Sequence, residues 1–193
     1  MAGGTAARGG PPGGRLIVIA GPSGVGKGTV VRRLLQVRPD LVLSVSCTTR
    51  APRRGEVEGR DYRFLSVAEF DRLVADGAFL EWADVFGDRK GTLEGPVREA
   101  MARGADVVLE IDVQGAAIVR RRVPEALLIF LVPPSRAELE RRLRARRTED
   151  GETLERRLAA AERELAEAPG FDRVVVNDEV DRAAAEIAGI LDC

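Results

Sequence analysis

Leu16-Ile17-Val18-Ile19-Ala20 runs directly into Gly21-Pro22-Ser23-Gly24-Val25-Gly26-Lys27-Gly28-Thr29, and from there into the helical stretch Val30 to Leu35. A buried strand, a glycine-rich turn and a helix in this order are the setting a phosphate-binding P-loop requires. Glycines let successive backbone N–H groups curl around phosphate oxygens. The following helix presents the positive end of its dipole, and Lys27 adds a compact charge. Residues 21 to 29 are therefore the expected cradle for a nucleoside triphosphate. Lys27 is one of only two lysines, with Lys90, in a chain of 193 residues that carries 28 arginines. Arginine's planar fork does not replace a point charge threaded into a tight loop, so a retained lysine points to chemistry.

Working outward, short apolar runs recur at Leu41 to Val45, Val107 to Ile111, Leu127 to Val132 and Val174 to Val176. They alternate with helical patterns over Val97 to Arg103, Arg136 to Arg147, Leu154 to Glu167 and Asp181 to Leu191. Such alternation predicts an α/β fold, a doubly wound parallel sheet with its ligand at the carboxyl ends of the strands. The expected core comprises 15–45, 93–140 and 158–193. Two stretches interrupt the rhythm. Residues 46–92 read as an inserted lobe with a helix capped by Ser66 and Glu69. Residues 141–157 carry a dense arginine run broken at Thr148-Glu149-Asp150-Gly151, the pattern of a mobile lid. Residues 1–14, almost wholly small residues and proline, read as a disordered leader ahead of a single domain over 15–193.

Composition narrows the chemistry. Histidine is absent, which excludes histidine bases and histidine metal sites, and a net charge of -1 argues against nucleic acid as a partner. Cys47 and Cys193 lack metal-ligand spacing, and no apolar run approaches the roughly 18 residues of a membrane span. A cytoplasmic protein with reduced thiols and no membrane partner is the expectation.

The inserted lobe holds Ser44-Val45-Ser46-Cys47-Thr48-Thr49-Arg50-Ala51-Pro52-Arg53-Arg54-Gly55-Glu56 and Gly59-Arg60-Asp61-Tyr62-Arg63-Phe64. Further on stand Phe79-Leu80-Glu81-Trp82 and Ile111-Asp112-Val113-Gln114-Gly115. In these segments the chain resembles the guanylate kinase family of P-loop nucleoside monophosphate kinases, from about Leu16 to Leu191. The residue types suit that chemistry. Arg50 and Arg53 can clasp a monophosphate with planar, bidentate charge, and the Tyr62 hydroxyl adds a donor. Glu81 can accept from both N1–H and N2–H of guanine, which adenine does not offer.

The resemblance implies transfer of the γ-phosphoryl of ATP to GMP, with dGMP as a further acceptor, in purine nucleotide metabolism and GMP recycling. By similarity, Ser46 and Thr92 give hydroxyls to the base and Asp112 completes its recognition. Arg146 and Arg157 close from the lid, and Asn177 lies beside the ATP adenine. Glu110 and Asp112 end the apolar strand Val107-Val108-Leu109 two apart, hence on one side of it, and are the acids expected to face the water shell of Mg2+; spacing does not say which orders water and which reaches guanine. Gly28 stands where many P-loops have Ser or Thr, so nucleotide oxygens and water are expected to hold most of the metal.

Three departures from the family pattern stand out. Arg146-Arg147-Thr148 replaces a common Arg-Gly-Thr, Glu110 replaces a common aspartate, and Asp88-Arg89-Lys90-Gly91 replaces a segment that usually carries a pair of tyrosines. Lys90 falls where one of those tyrosines contacts phosphate. A binding module on the same scaffold would typically lose the P-loop lysine, and Lys27 is present. The oligomeric state is left open.

Overall fold

The computed structural model describes residues 13–85, 87–145 and 151–192, with the side chains of 151–153 left aside. Thus the lid tip with Arg146, and residues 1–12 of the expected leader, lie outside the described residues. Gly14, assigned to the leader, already donates its N–H to Met101 O at 2.8 Å.

A parallel sheet of β1 (Leu16–Ala20), β2 (Val42–Leu43), β7 (Val107–Glu110), β8 (Leu127–Val132) and β9 (Arg173–Val176) runs in the order β2-β7-β1-β8-β9. Five apolar residues in succession let β1 take the centre, buried on both faces. Side-chain alternation divides it between two cores. Ile17 and Ile19 pack with α1 (Lys27–Val37) and α7 (Val180–Leu191) through Val30, Leu34, Ala184 and Ile187. Leu16, Val18 and Ala20 join Val97 and Ala100 of α3 (Glu94–Ala102) and Ala116 and Val119 of α4 (Val113–Arg122) on the other face.

Between β2 and α3 the chain builds a second sheet, β4-β3-β6-β5, from β3 (Cys47–Thr48), β4 (Arg63–Phe64), β5 (Phe79–Val85) and β6 (Asp88–Leu93). It is covered by α2 (Val67–Ala75), whose Phe70 stacks on Phe79 at 4.5 Å and meets Trp82 edge-on at 6.2 Å. The capping box at Ser66 forms with both bonds, each satisfying an N–H that the helix start would leave open. Toward the carboxyl end, α5 (Arg136–Ala145) and α6 (Gly151–Leu165) meet along Leu139 and Leu143 against Leu154, Leu158, Ala161 and Leu165.

One expectation needs correcting, and one helix was not foreseen. The apolar run at Leu41 to Val45 pairs as a strand only at Val42–Leu43, on the sheet edge. Helix α4 follows β7 immediately, where Gly115 and a terminal arginine triplet obscure its period; its N-cap is Asp112.

Candidate active site

At the carboxyl end of β1 the loop 21–29 wraps into α1. Gly26 caps that helix in the left-handed region, at φ 97°, and no acid lies in the first turn. A cap without a side chain leaves the first N–H groups of α1 and its positive dipole end to an external anion. Gly26 is also required by space, since an added Cβ would stand 2.7 Å from Asn177 Nδ2.

Lys27 folds back over the loop and donates to Gly21 O at 2.6 Å and Pro22 O at 3.2 Å. Burial pulls its ammonium below the ordinary range, against the opposing pull of Glu110, Glu164 and Asp112. The loop is held from outside as well. Asn177, only 2% exposed, donates Nδ2–H to Val25 O at 2.7 Å. Arg142 donates to Val25 O and to Asn177 O, each at 3.0 Å, while Glu138 accepts from its Nε at 2.7 Å. Arg142, part of the arginine run expected to form the lid, thus braces the loop here.

Glu110 ends β7 with its carboxylate against the loop, its oxygens 3.2 and 3.3 Å from where a Cβ on Gly28 would lie. Asp112 is not on that strand: it caps α4, and its Oδ1 accepts Gly115 N–H at 2.9 Å. The expectation that the two acids project from one side of a strand therefore fails, because the chain turns into a helix after Ile111. Both still act electrostatically on Lys27.

The second half of the site is built on β5 and β6. Glu81 and Thr92 stand directly opposite in this antiparallel pair, and the Thr92 hydroxyl donates to Glu81 Oε1 at 2.6 Å. A register slip between Phe79 and Glu81 lets Phe79 and Trp82 both reach Phe70, turning Glu81 away from α2. Its carboxylate rests on α4 at Gly115, where an added Cβ would lie 2.5 Å from Oε2. Burial lifts the Glu81 carboxyl to about 7; the nearby Asp112 charge adds to the rise, and the Thr92 hydroxyl opposes it.

Lys90 is two residues from Thr92 on β6, so both side chains leave the strand on one face, about 7 Å apart. The Lys90 ammonium lies 5.7 Å from the Tyr62 ring centroid, and the Arg50 guanidinium lies 5.5 Å from it. Burial draws Lys90 below its ordinary range; Arg50 and Arg53 push the same way, and Asp112 and Glu110 oppose. Burial raises the Tyr62 hydroxyl. Arg50 also donates to both oxygens of Glu56, at 2.7 and 2.9 Å, and that carboxylate accepts Arg53 N–H at 2.6 Å. Arg89 leaves on the opposite face, pairing with Asp71 and lying over Phe70 at 6.0 Å. Ser46 sits at the entry to β3, its carbonyl accepting Arg63 N–H at 2.9 Å.

Two neighbouring cradles result, one of backbone N–H groups with a lysine, one with a buried carboxylate and hydroxyl at one end and a cluster of cations at the other. The chain as a whole is similar to known proteins. The family model described as guanylate kinase matches residues 13–193. The chain belongs to the guanylate kinase family. A guanylate kinase of Nocardia farcinica is 54% identical over 179 residues, 92% of this chain and 93% of its own. One of Thermosynechococcus vestitus is 53% identical over 173 residues, 90% and 91% of the two chains. The crystal structure of guanylate kinase from Anaplasma phagocytophilum superposes with a TM-score of 0.79 at 35% identity, covering 94% of this chain and 86% of that one. As a guanylate kinase, the chain is an ATP-dependent kinase with GMP as its acceptor.

Glu164 has no counterpart in the sequence reading. Its Oε2 accepts Ser23 N–H at 3.1 Å, bringing α6 onto the P-loop. The available signal was its spacing, seven residues beyond Arg157 on a helix already expected. Arg157 is half-buried on α6, while Arg146 lies outside the described residues.

Proposed function

We propose that Glu81, Thr92, Ser46 and Asp112 read the guanine of GMP, that Arg50, Arg53, Tyr62 and Lys90 hold its phosphate, and that residues 21–29 with Asn177 hold ATP. The observation that carries this reading is the buried Glu81–Thr92 pair facing α4. A carboxylate turned toward a guanine accepts its N1–H and N2–H. Adenine would leave that buried acceptor facing another acceptor, a mismatch worth a hundredfold or more. The step of about 7 Å along β6 from Thr92 to Lys90 suits a nucleotide bound with its base at one end and its phosphate at the other. Asn177 Oδ1 is buried and has no hydrogen-bond partner among the described residues, which supports an acceptor role toward the adenine amino group.

In the transfer, an oxygen of the GMP phosphate attacks the γ-phosphorus of ATP and the bond to the ADP oxygen breaks. Lys27 neutralises charge on the transferring group, and Arg146 and Arg157 close over it from the lid. Among the described residues no cluster of three or more Cys, Asp or Glu could hold a metal ion alone. Glu110 against Gly28, with Asp112 nearby, fits an ion held mainly by nucleotide oxygens and water. When bound, Mg2+ would supply further neutralisation of the phosphates, with Glu110 and Asp112 ordering its waters. Among the described residues no helix is long and apolar enough to cross a membrane. Acceptance of dGMP, a cytoplasmic setting and a place in GMP recycling within purine metabolism complete the proposal.

A coupled assay with ATP, Mg2+ and each of GMP, dGMP, AMP, CMP and UMP tests it. GMP and dGMP are expected to exceed the rest by roughly a hundredfold in kcat/KM. Comparable turnover of AMP would overturn the assignment of Glu81.

Lys90 and Arg89 provide an internal comparison, because β6 sends them to opposite faces. Lys90→Ala is expected to raise the KM for GMP roughly tenfold and to weaken its salt dependence, and Lys90→Tyr to recover part of the loss. Arg89→Ala should change KM less than threefold and act mainly on melting, through α2. Equal, small KM changes in both alanine variants, measured at two salt concentrations, would remove Lys90 from the phosphate site.

A further inference from the structure

Ser23 and Glu164 are 141 residues apart in the chain, yet the hydrogen bond between them closes the outer edge of the P-loop onto α6. α6 also packs on α5. Leu154, Leu158, Ala161 and Leu165 form the apolar seam, and Arg136 pairs with Glu162 at 2.7 Å on its exposed side. Those contacts fix α6 to its neighbouring helix, whereas Glu164 fixes it to the phosphate cradle. Arg157 precedes Glu164 by seven residues. Seven residues of α-helix turn through about 700°, some 20° short of two full turns, and rise about 10.5 Å. Arg157 and Glu164 therefore share one face, flanking the apolar seam on the same side.

We propose that Glu164 is a positioning residue: by docking the carboxyl end of α6 on Ser23 it sets where Arg157, two turns earlier on that face, stands relative to the transferring phosphoryl group. This rests on the reading of Arg157 as a lid arginine that acts on the phosphates. Misplacing such a group by an ångström is enough to lower the rate while substrate binding survives. A carboxylate that only stabilised the fold would lower melting without a selective loss of turnover.

The test is a double-mutant cycle with Arg157→Ala, Glu164→Ala and both together, with kcat, the KM for ATP, the KM for GMP and the melting temperature measured for each. Glu164→Ala is expected to lower kcat roughly tenfold with the KM for GMP within twofold. The double variant should lie within about threefold of Arg157→Ala alone, since Glu164 acts through Arg157. Glu164→Gln retains an oxygen for Ser23 N–H and should recover most of kcat, which keeps the test open if the alanine variant folds poorly. Fold-losses that multiply in the double variant, or an unchanged kcat in Glu164→Ala, overturn the inference alone. A silent Arg157→Ala instead overturns the lid-arginine reading, and the inference with it.

Discussion

Lys27→Met is expected to lower kcat by about a thousandfold or more while the protein still folds. On the proposed reading the ammonium is the point charge that the P-loop contributes to the phosphates, and methionine keeps its length without its charge. Stability is expected to move little because two effects oppose each other. Gly21 O and Pro22 O each lose a donor, and a buried ammonium whose ionisation the surroundings disfavour is removed. The lost donors cost of the order of 1–3 kcal/mol, and removal of the disfavoured charge works against that cost. Single-turnover rates and thermal melting measured on one preparation check the expectation. Near-normal turnover with normal melting would eliminate the role given to Lys27.

Glu81→Gln is expected to raise the KM for GMP about a hundredfold, close to 3 kcal/mol, and to stabilise the unliganded protein at alkaline pH. The two effects have one origin. Burial raises the carboxyl from an ordinary 4.5 to about 7, so the folded state holds a proton that the unfolded chain has released. Between those values the folded state binds more protons than the unfolded one, and stability falls as pH rises. Above about 7 the penalty is complete, roughly 3 kcal/mol by linkage, and glutamine does not incur it. On the proposed reading guanine recognition has the opposite pH sense, because the ionised carboxylate is the form that accepts both donors. Parent kcat/KM for GMP should therefore climb through pH 6 to 8, approaching tenfold per unit on the acid side, while the glutamine variant stays flat and low. Melting curves at pH 6 and 8 test the stability half. A variant no more stable than its parent at pH 8 would show that Glu81 is not strained in the free protein.

Much of this site was legible because its chemistry needs unusual residues. The P-loop declares itself through Gly21, Gly24, Gly26 and Lys27, since close backbone approach demands glycine. The cation cluster was visible in Arg50 and Arg53, with Tyr62 beside them, and the scarcity of lysine singled out Lys90. What escaped depended on distance in three dimensions. No pattern joins Glu164 to Ser23, or Arg142 and Asn177 to Val25. Asp112 was misplaced for a local reason: Ile111-Asp112-Val113 continues an apolar alternation, and only the Asp112 bond to Gly115 N–H reveals a helix start. The short edge strand β2 shows the converse, a run of five residues, apolar but for Ser44, of which only two find a ladder partner. Gly115 reads in sequence as a helix breaker; its place under the Glu81 carboxylate becomes evident only once α4 and β5 are packed together.

Val25 is bonded to residues 117 and 152 positions further along the chain. A growing polypeptide thus holds the complete glycine-rich segment long before the side chains that brace it have been synthesised. Contacts of such separation form late, after the loop-closure entropy between them has been met. The nucleotide cradle, though encoded near the amino terminus, is consequently complete only once β9 and α5 have found their places, and ATP binding becomes a report that they have.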